Sequence, residues 1–221
     1  MNIAQRINDL KASLPPCVLL VAISKFHPAE VLQEAYDAGQ RVFGENKVQE
    51  LTAKYPLLPS DIQWHFVGTL QTNKVKYIAP FIDTIQSIDS LRLLKEVDRQ
   101  AAKNNRRIRV LLEVHIARET TKHGFGLDEC LRLFLENRLD AYPHVIIAGL
   151  MGMATFTEDT GQIHYELHTL KGLFDEIKRS GKAGESFVEL SMGMSDDYLI
   201  AIQNGSTMIR LGTLIFGERK I

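Results

Sequence analysis

Apolar runs alternate with helix-period stretches along the whole chain. VLLVAIS (Val18 to Ser24) is a continuous apolar run that ends at Ser24 and then Lys25, and it reads as a buried strand. Pro28 opens a helix in which Val31, Ala35 and Ala38 recur at helical spacing, and Gly39 stops it. RVFGE (Arg41 to Glu45) is a second strand, followed by the helical NKVQELTAKY. WHFVG (Trp64 to Gly68) is a third, with a helix from about Gln71 to Ile78. TIQSI (Thr84 to Ile88) is a fourth, and Asp89 or Ser90 caps the helix SLRLLKEVDRQAAKN. RVLLEVHI (Arg109 to Ile116) is the longest strand candidate; a polar loop, ARETTKHGFG, and a helix from about Asp128 to Arg138 follow it. VIIAGLMGM (Val145 to Met153) is a sixth strand. Its helix, from about Gly161 to Arg179, carries Ile163, Leu167, Leu170, Phe174 and Ile177 on one face. FVELSMG (Phe187 to Gly193), a helix near Tyr198 to Gln203, and TMIRLG (Thr207 to Gly212) complete the series.

Eight strand–helix units in this order predict an α/β fold, a single (β/α)₈ TIM barrel. The 221 residues are few for that fold, so the loops are expected to be compact and residues 1–221 to form one domain. The rival is a doubly wound open sheet. The even repeat, with no Gly-rich dinucleotide fingerprint after the first strand, favours the barrel.

Composition narrows the function classes. The chain is 45% hydrophobic and 24% charged with a formal net charge of -1, so no overall basic field points to nucleic acid or to an anionic membrane. The two cysteines, Cys17 and Cys130, form neither a disulfide framework nor a metal-ligand spacing. The N-terminal MNIAQRINDLKASLPP lacks the apolar core of a signal peptide, and no apolar run nears the ~18 residues that span a bilayer. A cytoplasmic protein that binds no metal is expected.

A barrel carries its chemistry at the C-terminal ends of its strands. Those ends offer Lys25; Glu45 and Asn46; His65 and Gly68; His115, Lys122 and His123; Ser191 to Ser195; and Arg210, Gly212 and Thr213. SMGMSDD lies between a strand and a helix, where backbone N–H groups and serine hydroxyls can face an anion. RLGT adds Gly212, which permits close backbone approach, and the Thr213 hydroxyl. These are the two loops in which barrels commonly hold phosphate. Lys25, desolvated at a strand end, would be a nucleophile toward a carbonyl; its alternative is a salt-bridged residue at the barrel mouth. A lysine with a phosphate cup leaves two classes, a Schiff-base aldolase and a protein holding pyridoxal 5′-phosphate (PLP). Arg210 lies two residues before Gly212 and faces the same side. A guanidinium only donates, so under a pyridine ring it would keep the nitrogen unprotonated. Its alternative is an interior salt bridge to Glu113 or Glu189.

VAISKFHP, FGENKVQE, WHFVGTLQTNK, GLMGMA, LSMGMSDDYLIAI and GSTMIRLGTLIFGER occur in this order over nearly the whole chain. Together they closely resemble the pyridoxal phosphate homeostasis protein family, whose fold is that of the N-terminal barrel of bacterial alanine racemase without its C-terminal β domain. The resemblance implies that Lys25 carries PLP as a Schiff base and that Asn46 lies beside it. It implies that Met194, Ser195, Gly212 and Thr213 hold the phosphate, with Ser191 a weaker candidate for the same cup, and that Arg210 faces the pyridine nitrogen. Phe26 stands where many relatives have a small polar residue, and GLMGMATF lacks a proline common after that strand. Neither departure touches the implied contacts.

Holding PLP does not establish catalysis. A racemase needs acid/base groups on both faces of its substrate, and in alanine racemase the second is a tyrosine from the domain this family lacks. Tyr198 and His65 are the substitutes to consider, and nothing in the sequence places them. The favoured expectation is a non-catalytic PLP carrier or regulator acting in PLP homeostasis and amino-acid/keto-acid balance. It would be monomeric, with PLP-dependent apoenzymes as recipients and no nucleic-acid or membrane partner. A low-activity PLP-dependent amino-acid racemase is the alternative, and a Schiff-base aldolase a distant third.

Overall fold

The structure is a computed structural model that describes residues 2–119 and 123–218. Eight parallel strands close into a barrel in sequence order. They are β1 (Leu19–Ile23), β2 (Val42–Glu45), β3 (Gln63–Phe66), β4 (Thr84–Ile88), β5 (Ile108–Glu113), β6 (Val145–Met151), β7 (Glu189–Ser191) and β8 (Met208–Leu211). Pairing of β1 with β8, with Val21 opposite Arg210, closes the sheet and rules out the open-sheet rival. Each connection carries a helix: α2 (Ala29–Asp37), α3 (Val48–Lys54), α4 (Val75–Ile78), α5 (Leu91–Lys103), α6 (Leu127–Leu135), α7 (Thr160–Arg179) and α8 (Tyr198–Gln203). The pattern did not announce two further helices. These are α1 (Ile3–Ser13), capped by the Asn2 side chain, and the short α9 (Thr213–Phe216), against which α1 packs.

Period two along most strands sorts side chains into two cores, with a register shift between β5 and β6 near Ala148. The larger lies between sheet and helices, where the α7 face of Ile163, Leu167, Leu170, Phe174 and Ile177 is buried as its spacing predicts. The smaller fills the barrel interior with Val21, Val42, Leu111, Ala148, Met151 and Met208. Beside this apolar cluster the interior also holds polar side chains, with Gln86 against the Met208 sulfur.

The strands are shorter than the apolar runs suggest. The fifth ends at Glu113 rather than Ile116, so β6, at seven residues, is the longest. The cause is local: Phe125 donates its N–H to the Glu113 carbonyl at 2.8 Å, and His115 donates to the Phe125 carbonyl at 2.9 Å. Val114 still donates to the Met151 carbonyl of β6 at 2.8 Å, but it bridges to the returning loop at Phe125, and His115 pairs with that loop. Ser90, not Asp89, caps α5 by accepting from the Leu93 N–H.

Gly149 in β6 has no room for a side chain, because a Cβ there would overlap the Glu189 carbonyl on β7. Gly172, within α7, faces open space. Gly149→Ala should therefore destabilise by about 3 kcal/mol or more through overpacking. Gly172→Ala should stabilise by about 0.5–1 kcal/mol as a helix-interior replacement. Urea unfolding of both variants checks the contrast.

Candidate functional site

The C-terminal rim of the barrel surrounds a cavity of ≈ 650 Å³. Its wall includes Lys25, Asn46, Met194, Ser195, Arg210, Gly212 and Thr213, seven of the eight residues singled out from the sequence. Closure explains how the two ends of the chain meet. Lys25 is four residues beyond Val21, Gly212 is two beyond Arg210, and Val21 pairs with Arg210. A Cβ on Gly212 would sit 3.2 Å from the Ile23 carbonyl, so this close approach suits glycine.

Both flanks of Lys25 are fixed by a cluster behind the strand. The Ser24 hydroxyl donates to Glu45 at 2.7 Å, and the Lys54 ammonium donates to the Ser24 carbonyl at 2.9 Å. Lys54 also pairs with Glu45 at 2.5 Å, both side chains being buried. On the other flank the Phe26 N–H donates to Glu50 at 2.8 Å. Phe26 has a φ of 69°, a left-handed conformation unfavourable for a bulky side chain. The Glu50 bond helps hold that turn. Burial raises the Glu45 carboxyl above its usual range, with the Lys54 ammonium and Ser24 hydroxyl opposing. Glu50 and Lys54 are spaced i,i+4 on α3, the one sequence signal that could have flagged them.

Arg210 is buried beneath the cavity. It donates to the Ser191 hydroxyl at 2.6 Å and to the Gly152 carbonyl at 3.0 Å. Among the described residues neither Glu113 nor Glu189 forms an ion pair with it, and Glu189 instead pairs with Arg109 at 2.5 Å. Burial lowers the guanidinium to about 10, so it stays a cation at neutral pH. Two of its five N–H groups are used by these bonds, and the others can serve an acceptor in the cavity. Ser191 is fully buried and does not line the cavity; it lies under Arg210, whose N–H it accepts.

The two expected anion loops each close as a helical turn. Tyr198 donates its N–H to the Met194 carbonyl, and Phe216 donates to the Gly212 carbonyl, both at 2.9 Å. Leading N–H groups of such turns have no intrahelical acceptor. The Met194 N–H itself is taken by Asp197 at 2.6 Å, leaving Ser195 and Thr213, with their hydroxyls, as the better-placed donors. The Asn46 amide oxygen is buried without a hydrogen-bond partner.

His65 lies buried below the cavity and Tyr198 does not line it. His27 does, with its ring tilted against Phe216 at 4.8 Å between centroids. His115 and His123 are not in the wall, and Lys122 lies outside the described residues. Among the described residues no group of three or more His, Cys, Asp or Glu side chains could hold a metal ion. Glu113, weighed in the sequence only as a partner for Arg210, lines the cavity. Burial pushes its carboxyl up to about 7; Asp89 adds to the rise and Arg210 opposes it. Chemically, the cavity offers an amine at Lys25, donors for an anion at one end, a donor-only cation beneath, and a carboxyl that titrates near neutrality.

The alanine racemase N-terminal domain model matches residues 1–220. The pyridoxal phosphate homeostasis protein of Aquifex aeolicus is 42% identical over 205 residues, covering 92% of this chain and 88% of its own. The human pyridoxal phosphate homeostasis protein is 36% identical, covering 98% and 81%. The chain belongs to the pyridoxal phosphate homeostasis protein family. PipY of Synechococcus elongatus, solved with PLP bound, superimposes with a TM-score of 0.88 at 35% identity over 98% of this chain and the whole of PipY. Its PLP-free structure gives 0.92 at 36% identity, over the same shares. An alanine racemase of Clostridium difficile gives 0.81 at 12% identity; the match spans 100% of this chain and 57% of the racemase, a likeness of fold. The architecture shared with PipY is thus the whole barrel.

The raised Glu113 predicts a specific pH dependence. A carboxyl whose folded pKa is about 7 against an ordinary 4.5 favours the folded state while it is protonated. That stability is present below about pH 4.5 and is lost as pH rises to about 7. Glu113→Gln cannot ionise. Its stability relative to the parent should therefore grow by up to about 3 kcal/mol between pH 4.5 and pH 8, measured by urea unfolding of PLP-free protein.

Proposed function

We propose that residues 1–221 form a single PLP-binding barrel domain in which Lys25 holds PLP as a Schiff base, and that the protein serves intracellular PLP homeostasis and, through it, amino-acid and keto-acid balance. The observation that carries this is the meeting of Lys25, Arg210 and the two anion-competent turns at one cavity. The fit is chemical as well as spatial. The orphaned Asn46 oxygen lacks a donor, the phenolic hydroxyl of PLP is one, and Arg210 has N–H groups left for a pyridine nitrogen. When bound, PLP supplies an aldehyde carbon that amines reach reversibly.

The residues of this chain do the rest. Ser195 and Thr213 with their backbone donors bind the phosphate, assisted by the backbone approach at Gly212. Met194 lines the cup, its N–H committed to Asp197. Ser24 and Phe26, held from behind, orient Lys25. Arg210 donates and never accepts, so it keeps the ring nitrogen unprotonated and weakens the ring as an electron sink. Together with the absence of Tyr198 and His65 from the wall, this supports a carrier or regulator rather than an enzyme. No described helix is long and apolar enough to cross a membrane. The reading places the protein in the cytoplasm as a monomer, giving PLP up to PLP-dependent apoenzymes by exchange of one amine for another.

The test is covalent. Purified protein incubated with PLP, reduced with borohydride and digested should show the pyridoxyl mass on the peptide containing Lys25, with the mass and the PLP absorption both lost in Lys25→Ala. A parent protein that takes up no PLP would sink the proposal.

One observation favours the second reading, a low-activity amino-acid racemase: Glu113 places a proton-exchanging carboxyl in the same cavity as Lys25. Holo-protein incubated with L- and D-amino acids in deuterated water decides between them. The carrier reading expects no rapid α-proton exchange with any amino acid. Rapid exchange that is lost in Glu113→Gln would establish the enzyme.

A further inference from the structure

Below the cavity the barrel interior holds a chain of side-chain hydrogen bonds. Arg210 donates to Ser191 Oγ at 2.6 Å. Ser191 donates to Gln86 Oε1 at 2.7 Å. Gln86 Nε2 lies 2.8 Å from His65 Nδ1 and 3.1 Å from the Met208 sulfur. His65 Nε2 is 3.7 Å from Asp83 Oδ1, beyond hydrogen-bonding distance but close enough for the carboxylate to favour a proton on that nitrogen. Arg210, Ser191, Gln86 and His65 are all buried, and Asp83 lies just before β4 at the opposite mouth of the barrel. The column thus runs through the full depth of the barrel.

Its polarity is fixed from both ends. A guanidinium can only donate and an ionised carboxylate can only accept. Between them one arrangement gives every hydrogen bond of the column a donor and an acceptor: Ser191 accepts from Arg210 and donates to Gln86, and Gln86 donates to Nδ1 of an Nε2-protonated His65, whose Nε2 proton Asp83 favours by charge alone. A flipped Gln86 amide would set its oxygen against the Met208 sulfur and present N–H groups to Ser191. The serine would then face two donors, and its own proton would lose its acceptor. His65 is suited to the accepting role because burial holds it neutral, down to about 4.

We propose that Gln86 and His65 are positioning residues for Arg210: this one-way column fixes the guanidinium, so that its remaining N–H groups are held toward the cavity above. The proposal rests on the PLP reading only for what those N–H groups meet; the ordering of Arg210 belongs to the PLP-free protein. A free arginine terminus is mobile, and a mobile donor binds an acceptor at a greater entropic cost. Neither Gln86 nor His65 lines the cavity, so both act through Arg210.

The test uses full-length, ¹⁵N-labelled PLP-free protein. The Arg210 guanidinium signals are identified by their loss in Arg210→Lys. In the parent the column should hinder rotation and give separate Nη signals. Gln86→Met keeps the volume but removes the amide, and it should collapse these into one averaged signal. Gln86→Glu keeps an acceptor for the Ser191 hydroxyl and should restore the separate signals. Ser191→Ala cuts the same column at another link with a smaller change, and serves if Gln86→Met does not fold. PLP titration of the same proteins should show the dissociation constant raised on the order of tenfold in Gln86→Met and close to the parent's in Gln86→Glu. Separate, parent-like Nη signals in Gln86→Met or Ser191→Ala would overturn the proposal, whatever the loss of stability. If the parent itself takes up no PLP, the function proposed above falls, and the Arg210 signals still decide this inference.

Discussion

Glu45 and Lys54 form an ion pair sealed behind the barrel wall, and through it the chain fixes the backbone that leads into Lys25. The pair joins β2 to the end of α3, and both of its members bind Ser24, one through the hydroxyl and the other through the carbonyl. Glu50, one turn earlier on α3, takes the Phe26 N–H and approaches Lys54 at 3.6 Å. Lys25 is therefore held between two anchored neighbours. Buried ion pairs are weak sources of net stability, because desolvation offsets attraction. Removing one partner, however, strands the other without compensation. Such a pair specifies geometry more than it stabilises the fold, and here the geometry it specifies is the exit of Lys25 from its strand.

The fold was legible because most strands are apolar runs broken by turn residues, and because eight of them alternate with helical periods. Lys25, Arg210 and Gly212 were legible for a related reason: each interrupts an apolar run at an inward position near a strand end. The strand limits were less so. Val114 to Ile116 read as strand, but the loop returning at Phe125 takes the Glu113 carbonyl and the His115 N–H.

The supporting residues were not legible because their partners are distant in sequence. Gln86 appears as one polar residue in TIQSI, and its bond to Ser191 spans 105 positions. Ser191 looked like another hydroxyl for an anion, and only its burial and its bond from Arg210 place it in the interior column. Glu113 is a single acid at the end of an apolar strand, a pattern that says nothing of a cavity beyond it. Periodicity reports which face a side chain occupies; which neighbour meets it there depends on the closure of the barrel.

The interior column and the cavity above it bear on one question, the electronic demand that the chain can place on a bound ring. An aspartate under a pyridine nitrogen shares or gives a proton and makes the ring a strong acceptor of electrons. Arg210 cannot, since its proton is not shared and the column that binds it begins with an acceptor, Ser191. Turnover at an amino-acid α-carbon would then have to come from proton transfer alone. The groups in the wall with a proton to exchange are few, and Glu113 is the one whose carboxyl is lifted into the neutral range. The same burial that lifts it also removes charge from the cavity at the pH where a carrier would take up an anionic cofactor. A neutral Glu113 leaves Lys25, Lys47 and Arg210 in the wall with Asp196 as the opposing carboxylate. Protonated, this single carboxyl would suit retention of an anion; ionised, it would be a proton acceptor in the same wall. A ring held over Arg210 would draw few electrons even if a base stood ready, and that is the constraint any proton transfer at Glu113 would have to overcome.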